Sequence, residues 1–119
     1  MRLKNILLVV RDIEKSKHFY QEVFGLLPVR DFGENVILTE GITLQDAKVW
    51  QHLIDKKVMF SGNNTALYFE ERNFASFLTR LKESSFTIEF LNEAALGQDG
   101  KRVVRFYDPD YHIIEVKES

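Results

Sequence analysis

The sequence predicts an α+β fold of two tandem βαβββ modules, each rolling a curled mixed sheet around a cup. Three observations carry this prediction. A strand-like run, an amphipathic helix and three further strand-like runs follow one another twice along the chain. Asn5-Ile6-Leu7-Leu8 lies in phase with Asn64-Thr65-Ala66-Leu67, so both modules open alike, at an offset of about 59 residues. Turn-forming residues separate the runs, and no low-complexity linker divides the halves.

In the first module, Ile6 to Val10 is apolar and β-branched, as a strand is. Asp12 follows as an N-cap, with the acidic Glu14 in the first turn. Ile13, Ser16, Tyr20, Val23 and Phe24 recur at helical spacing, and Gly25 ends the helix. Leu26 to Asp31, Asn35 to Thr39 and Ile42 to Gln45 then read as strands, with Gly33 and Gly41 in the turns. In the second module, Thr65 to Glu70 reads as a strand, and Phe74, Phe77, Leu78 and Leu81 form one helical face. Thr87 to Phe90, Arg102 to Tyr107 and His112 to Lys117 read as strands, and Gln98-Asp99-Gly100 and Asp108-Pro109-Asp110 as turns. The expected organisation is one domain over residues 1–119: a module of about 1–46, a joining segment of about 47–63 and a module of about 64–119. In the joining segment Val49, Trp50 and Leu53 suit one side of a short helix.

Composition narrows the function classes. Apolar residues make up 45% and charged residues 29%, which suits a domain with its own core. With no cysteine the chain has neither disulfides nor thiol catalysis, which fits a reducing, cytoplasmic setting. The net charge of -2 carries no basic stripe, so nucleic acid is not expected as a partner. No apolar run approaches the roughly 20 residues of a membrane span, and Met1 to Val10 lacks a signal-peptide cleavage pattern, so no membrane is expected either.

Two stretches resemble the vicinal-oxygen-chelate superfamily, which includes glyoxalase I, fosfomycin-resistance proteins, extradiol dioxygenases and bleomycin-resistance proteins. One runs Val10-Arg11-Asp12-Ile13-Glu14-Lys15-Ser16, then Phe19-Tyr20 and Phe24-Gly25-Leu26. The other is Phe106-Tyr107-Asp108-Pro109-Asp110-Tyr111-His112-Ile113-Ile114-Glu115-Val116. Tyr111 departs from the glycine usual in the family at that place, where a turn favours a residue free of Cβ strain. The superfamily hosts many chemistries, so the resemblance speaks to fold more than to reaction.

The resemblance implies a divalent metal held by the first and last strands of each module, at positions matching Asn5, Thr43, Asn64 and Glu115. Transition metals want imidazole or carboxylate donors. Asparagine and threonine offer neutral oxygens, and Gln45, on the same strand face as Thr43, adds only another. The expectation is therefore no catalytic metal and no other cofactor.

Glu115 alternates with the apolar Ile114 and Val116, which turns it to the face opposite the helix-packed core. There it is the one candidate catalytic residue, as a general base, or an acceptor for a ligand amine or hydroxyl. Arg105 alternates with Val104 and Phe106 and is a candidate partner for Glu115 or for an anionic ligand; an exposed strand arginine is the plainer reading. Tyr68 shares a strand face with Asn64 and is a candidate pocket wall. Trp50 either packs as core or lines the cavity. His52 is the histidine best placed to reach a pocket, while His18 and His112 read as surface or rim residues.

Three function classes stand beside one another. One is a small-molecule-binding protein of the bleomycin-resistance kind, needing an aromatic-lined cleft and no catalytic constellation. Another is an enzyme of the superfamily, a lyase, dioxygenase or isomerase that uses a metal or Glu115. A partner-binding module without chemistry is a third. A homodimer is expected in each case, because small open sheets leave edges that a second copy covers.

Overall fold

In a computed structural model describing all 119 residues, the chain forms three helices and two four-stranded mixed sheets that remain open. It divides into two compact units, Met1–Phe60 and Ser61–Ser119.

In the first unit β1 (Ile6–Val10) leads into α1 (Ile13–Phe24), and β2 (Pro28–Asp31), β3 (Asn35–Leu38) and β4 (Ile42–Asp46) follow. Asp12 caps α1 by accepting from the Lys15 amide at 3.1 Å. Gly25, at φ 70°, ends it: its amide donates to Gln21 O, and the Leu26 amide donates to Tyr20 O. That capping uses Leu26, expected in a strand, and delays β2 to Pro28. At the other hairpin β3 stops at Leu38, because Thr39–Gly41 tightens into a 3-10 turn with Glu40 at φ 66°. The strand order is β1-β4-β3-β2, with β1 and β4 parallel and the other pairs antiparallel. Ile13, Ser16, Phe19, Tyr20 and Val23 bury one face of α1, and Leu8, Val10, Val36, Leu38, Ile42 and Leu44 are the buried apolar residues of the sheet. After β4 comes α2 (Ala47–Ile54), capped by Asp46 through the Val49 amide.

The second unit repeats the plan with β5 (Ala66–Glu71), α3 (Phe74–Lys82), β6 (Phe90–Leu96), β7 (Arg102–Tyr107) and β8 (Ile113–Glu118), in the order β5-β8-β7-β6. Asn73 caps α3 through the Ser76 amide. Phe74, Phe77 and Leu81 pack with Val104, Phe106, Ile114 and Val116, and the Phe77 and Phe106 rings lie 6.4 Å apart. The expected strand at Thr87 to Phe90 is displaced to Phe90–Leu96. Thr87 and Ile88 have the higher strand preference, but β7 needs a pairing partner, and that requirement outweighs propensity at an edge strand.

Candidate ligand-binding site

The parallel pairs, at one edge of each sheet, place the candidate residues. In the first unit Leu7 pairs with Thr43 and Val9 with Gln45; in the second, Tyr68 pairs with Glu115. Each unit thus sets its last strand beside its first, and side chains alternate between the helix-packed face and the opposite one.

This register corrects the match between the modules. Thr43 corresponds to Glu115, so Leu7 corresponds to Tyr68 and Asn5 to Ala66. The helix caps agree: Asp12 stands as far beyond Asn5 as Asn73 stands beyond Ala66. Asn64 precedes β5, is exposed, and accepts a hydrogen bond from the Thr65 hydroxyl at 3.3 Å. The Asn-first similarity of the two openings is a coincidence of residue type. Spacing to the N-cap was the signal that would have found Ala66.

In the first unit the candidate residues are mostly buried. Thr43 is 3% exposed, and its hydroxyl has no hydrogen-bond partner. Gln45 is 6% exposed; its Oε1 accepts from Asn35 Nδ2 at 2.8 Å, and its Nε2 donates to Glu34 O at 3.3 Å. That pair of bonds ties β3 to β4, so Gln45 serves the scaffold. Asn5 is half-buried just ahead of β1. On α2, Trp50 is half-buried and His52 exposed. An open cleft of about 290 Å³, bounded by Gln51, Asp55, Lys56 and Lys57, contains none of these residues.

The second unit carries a continuous polar row. Tyr68, Glu115, Arg105 and Asn92 occupy paired positions on β5, β8, β7 and β6. Arg105 Nε donates to Glu115 Oε1 at 2.7 Å, and Arg105 Nη1 donates to Asn92 Oδ1 at 3.0 Å. The side chains of Arg105 and Glu115 are 44% and 28% exposed. The row lies opposite the core face, since Val104, Phe106, Ile114 and Val116 alternate with it and are buried. Asn92 is a member that sequence reasoning missed, because the expected strand ended at Phe90. Register shifts flank Asn92 on both sides and bring it opposite Arg105.

A divalent transition metal needs several imidazole, thiolate or carboxylate donors that converge. Here the matching positions hold two neutral side chains, Asn5 and Thr43, an alanine without any donor, Ala66, and Glu115, already ion-paired to Arg105. No three His, Cys, Asp or Glu side chains gather into a metal-holding group. These residues do not fit such a metal. His112 stands apart from the row: its Nδ1 lies 2.7 Å from Asp108 Oδ2 in the turn before β8. Tyr111, in the same turn, sits at φ 65° and packs edge-on against Tyr107 at 5.4 Å.

Comparison with known proteins agrees with this architecture. The chain has a TM-score of 0.84 and 32% identity to the crystal structure of a protein of unknown function from Agrobacterium tumefaciens str. C58, covering 100% of this chain and 94% of the other. A glyoxalase-related enzyme from Fulvimarina pelagi matches at a TM-score of 0.83 and 24% identity, over 100% and 88% of the two chains. A genomically encoded fosfomycin resistance protein from Listeria monocytogenes matches at 0.76 and 18%, over 100% and 93%, a likeness of fold. No helix is long and apolar enough to cross a membrane. The model of the glyoxalase-like domain matches residues 3–119, nearly end to end. Two βαβββ modules, each with its first and last strands paired in parallel, together with that match, establish that the chain belongs to the glyoxalase-like domain family of the vicinal-oxygen-chelate superfamily.

Proposed function

We propose that this protein is a small-molecule-binding member of its family that works without the divalent metal, as a cytoplasmic homodimer. The observation that carries the reading is the state of Glu115. It is the one carboxylate at the four matching positions, and an arginine on the neighbouring strand holds it. A metal at Glu115 would have to displace that guanidinium, and the other matching positions, Asn5, Thr43 and Ala66, offer no imidazole or carboxylate. Binding without chemistry asks for a sheet face with aromatic walls and a few fixed polar groups. Tyr68, Arg105, Glu115 and Asn92 supply such groups on one face. The absence of cysteine fits a reducing compartment, and the open sheet edges suit self-association.

Two measurements test the reading. After incubation with zinc, nickel and manganese and removal of excess, elemental analysis should find well under one metal per chain. Near one equivalent, lost in Glu115→Ala, would overturn the metal-free reading. A melting-temperature screen against a broad small-molecule collection should give saturable increases, since a native-state ligand raises apparent stability. No increase with any compound class would sink the binding reading.

A further inference from the structure

Arg105 is held more firmly than an exposed arginine needs to be. Its Nε is committed to Glu115 on β8 and its Nη1 to Asn92 on β6, so it is gripped from both neighbouring strands. An exposed ion pair alone adds little to stability. The third member, Asn92, reaches Arg105 through a doubly irregular stretch of β6. Irregularities of this kind commonly re-aim a side chain beside a functional site. A guanidinium has five N–H donors; Nη2 and the second Nη1 hydrogen are not used by these two bonds.

We propose that Arg105 is the anchor for the acidic head of a small organic carboxylate or phosphonate bound on this sheet face. The inference rests on the metal-free binding reading and names its ligand class. A planar guanidinium matches the spacing of two oxyanion oxygens and takes them through paired N–H donors. Glu115 lowers the affinity a lone arginine would have and in return fixes the plane of the fork. Less side-chain freedom is then lost on binding. The apolar part of the acid lies against aromatic surface. Tyr68 stands one strand beyond Glu115, and Tyr107 lies two residues from Arg105 on the same face of β7.

The test uses the full chain and four probes that share a ring: benzoate, phenylphosphonate, benzyl alcohol and benzylamine, at constant ionic strength. Benzoate and phenylphosphonate should raise the melting temperature saturably, and the neutral and cationic probes should not. Arg105→Gln should lose at least tenfold in affinity for both acids, and Arg105→Lys, lacking the fork, should recover only part of it. If the variants fold poorly, NMR of the wild type carries the test: the Arg105 Nε–H and Asn92 side-chain amide signals should move with phenylphosphonate. Equal acid binding in Arg105→Gln, or acid titration that leaves those two signals unmoved, overturns the inference. Binding of only the neutral or cationic probes overturns it and leaves the metal-free binding reading standing. Silence from all four also overturns it, while the broad compound screen decides the binding reading separately.

Discussion

His112 Nδ1 and Asp108 Oδ2 lie 2.7 Å apart, and the Asp108 side chain is fully buried. Asp108 Oδ1 also accepts the amides of Asp110 and His112, so the carboxylate is the hub of the turn before β8. Burial pushes the His112 pKa down, but the Asp108 hydrogen bond and the nearby carboxylates of Asp108 and Asp110 outweigh it, leaving the value above the ordinary 6.5. A raised histidine pKa favours folding most when the ring is protonated in both states. That contribution is therefore fully present below about pH 6.5 and fades as pH rises through the folded-state value. Urea midpoints of the wild type should fall between pH 6 and 8.5 by more than those of His112→Gln. Parallel curves for the two proteins would show that the pair does not titrate in this range.

Thr43 offers a test of a different kind. Its hydroxyl is buried without a partner, which costs on the order of 1–3 kcal/mol. Thr43→Val removes the hydroxyl at similar size. The expected outcome is a gain of about 1 kcal/mol in urea unfolding at unchanged m-value. A loss of stability would mean that the hydroxyl is bonded in solution.

For Glu115 the expectation is a small effect on folding. The Arg105 pair is partly exposed, so Glu115→Gln should change unfolding free energy by less than about 1 kcal/mol. Phe106→Ala, which empties the centre of the same unit's core, should cost about 3–5 kcal/mol by the same measurement. A Glu115→Gln loss comparable to that of Phe106→Ala would reassign Glu115 to the scaffold.

Association should run through exposed strand edges. Strand β2 is an edge of the first sheet, and Val29 and the following Phe32 are each more than 60% exposed. An apolar edge of this kind invites a second copy. Light scattering at micromolar concentration should give roughly twice the 14.0 kDa chain mass. Val29→Lys together with Phe32→Glu should return it to the mass of one chain. A wild type already at one chain mass would rule out the dimer.

Much of the fold was legible because the signals are local. Asp12, Gly25 and the apolar stripe between them specify α1 without reference to the rest of the chain. Phe74, Phe77 and Leu81 do the same for α3, although Leu78 lies only half-buried at the margin of that face. Strand β6 was not legible, since its Asn92-Glu93-Ala94-Ala95 stretch is held by β7 rather than by its own preferences. The face on which Arg105 and Glu115 lie was legible, because it is set by their buried neighbours. It was not legible where pairing across the sheet decides, as with Asn92 and with the shift from Asn64 to Ala66.

The strand order also dictates when the polar row can come together. Arg105 and Glu115 sit ten residues apart on an antiparallel hairpin, so their contact closes a short loop and costs little chain entropy. Tyr68 joins them only when β5 docks in parallel against β8, a pairing that spans α3, β6 and β7. Non-local parallel pairing is slow to form. The ion pair can thus exist in a hairpin before the tyrosine arrives, and β5 and β6, the two edges of the sheet, are the strands whose fraying would take Tyr68 and Asn92 out of the row. Amide exchange along β5 and β6 would then report the lifetime of the assembled face, while β7 and β8 keep the charges paired.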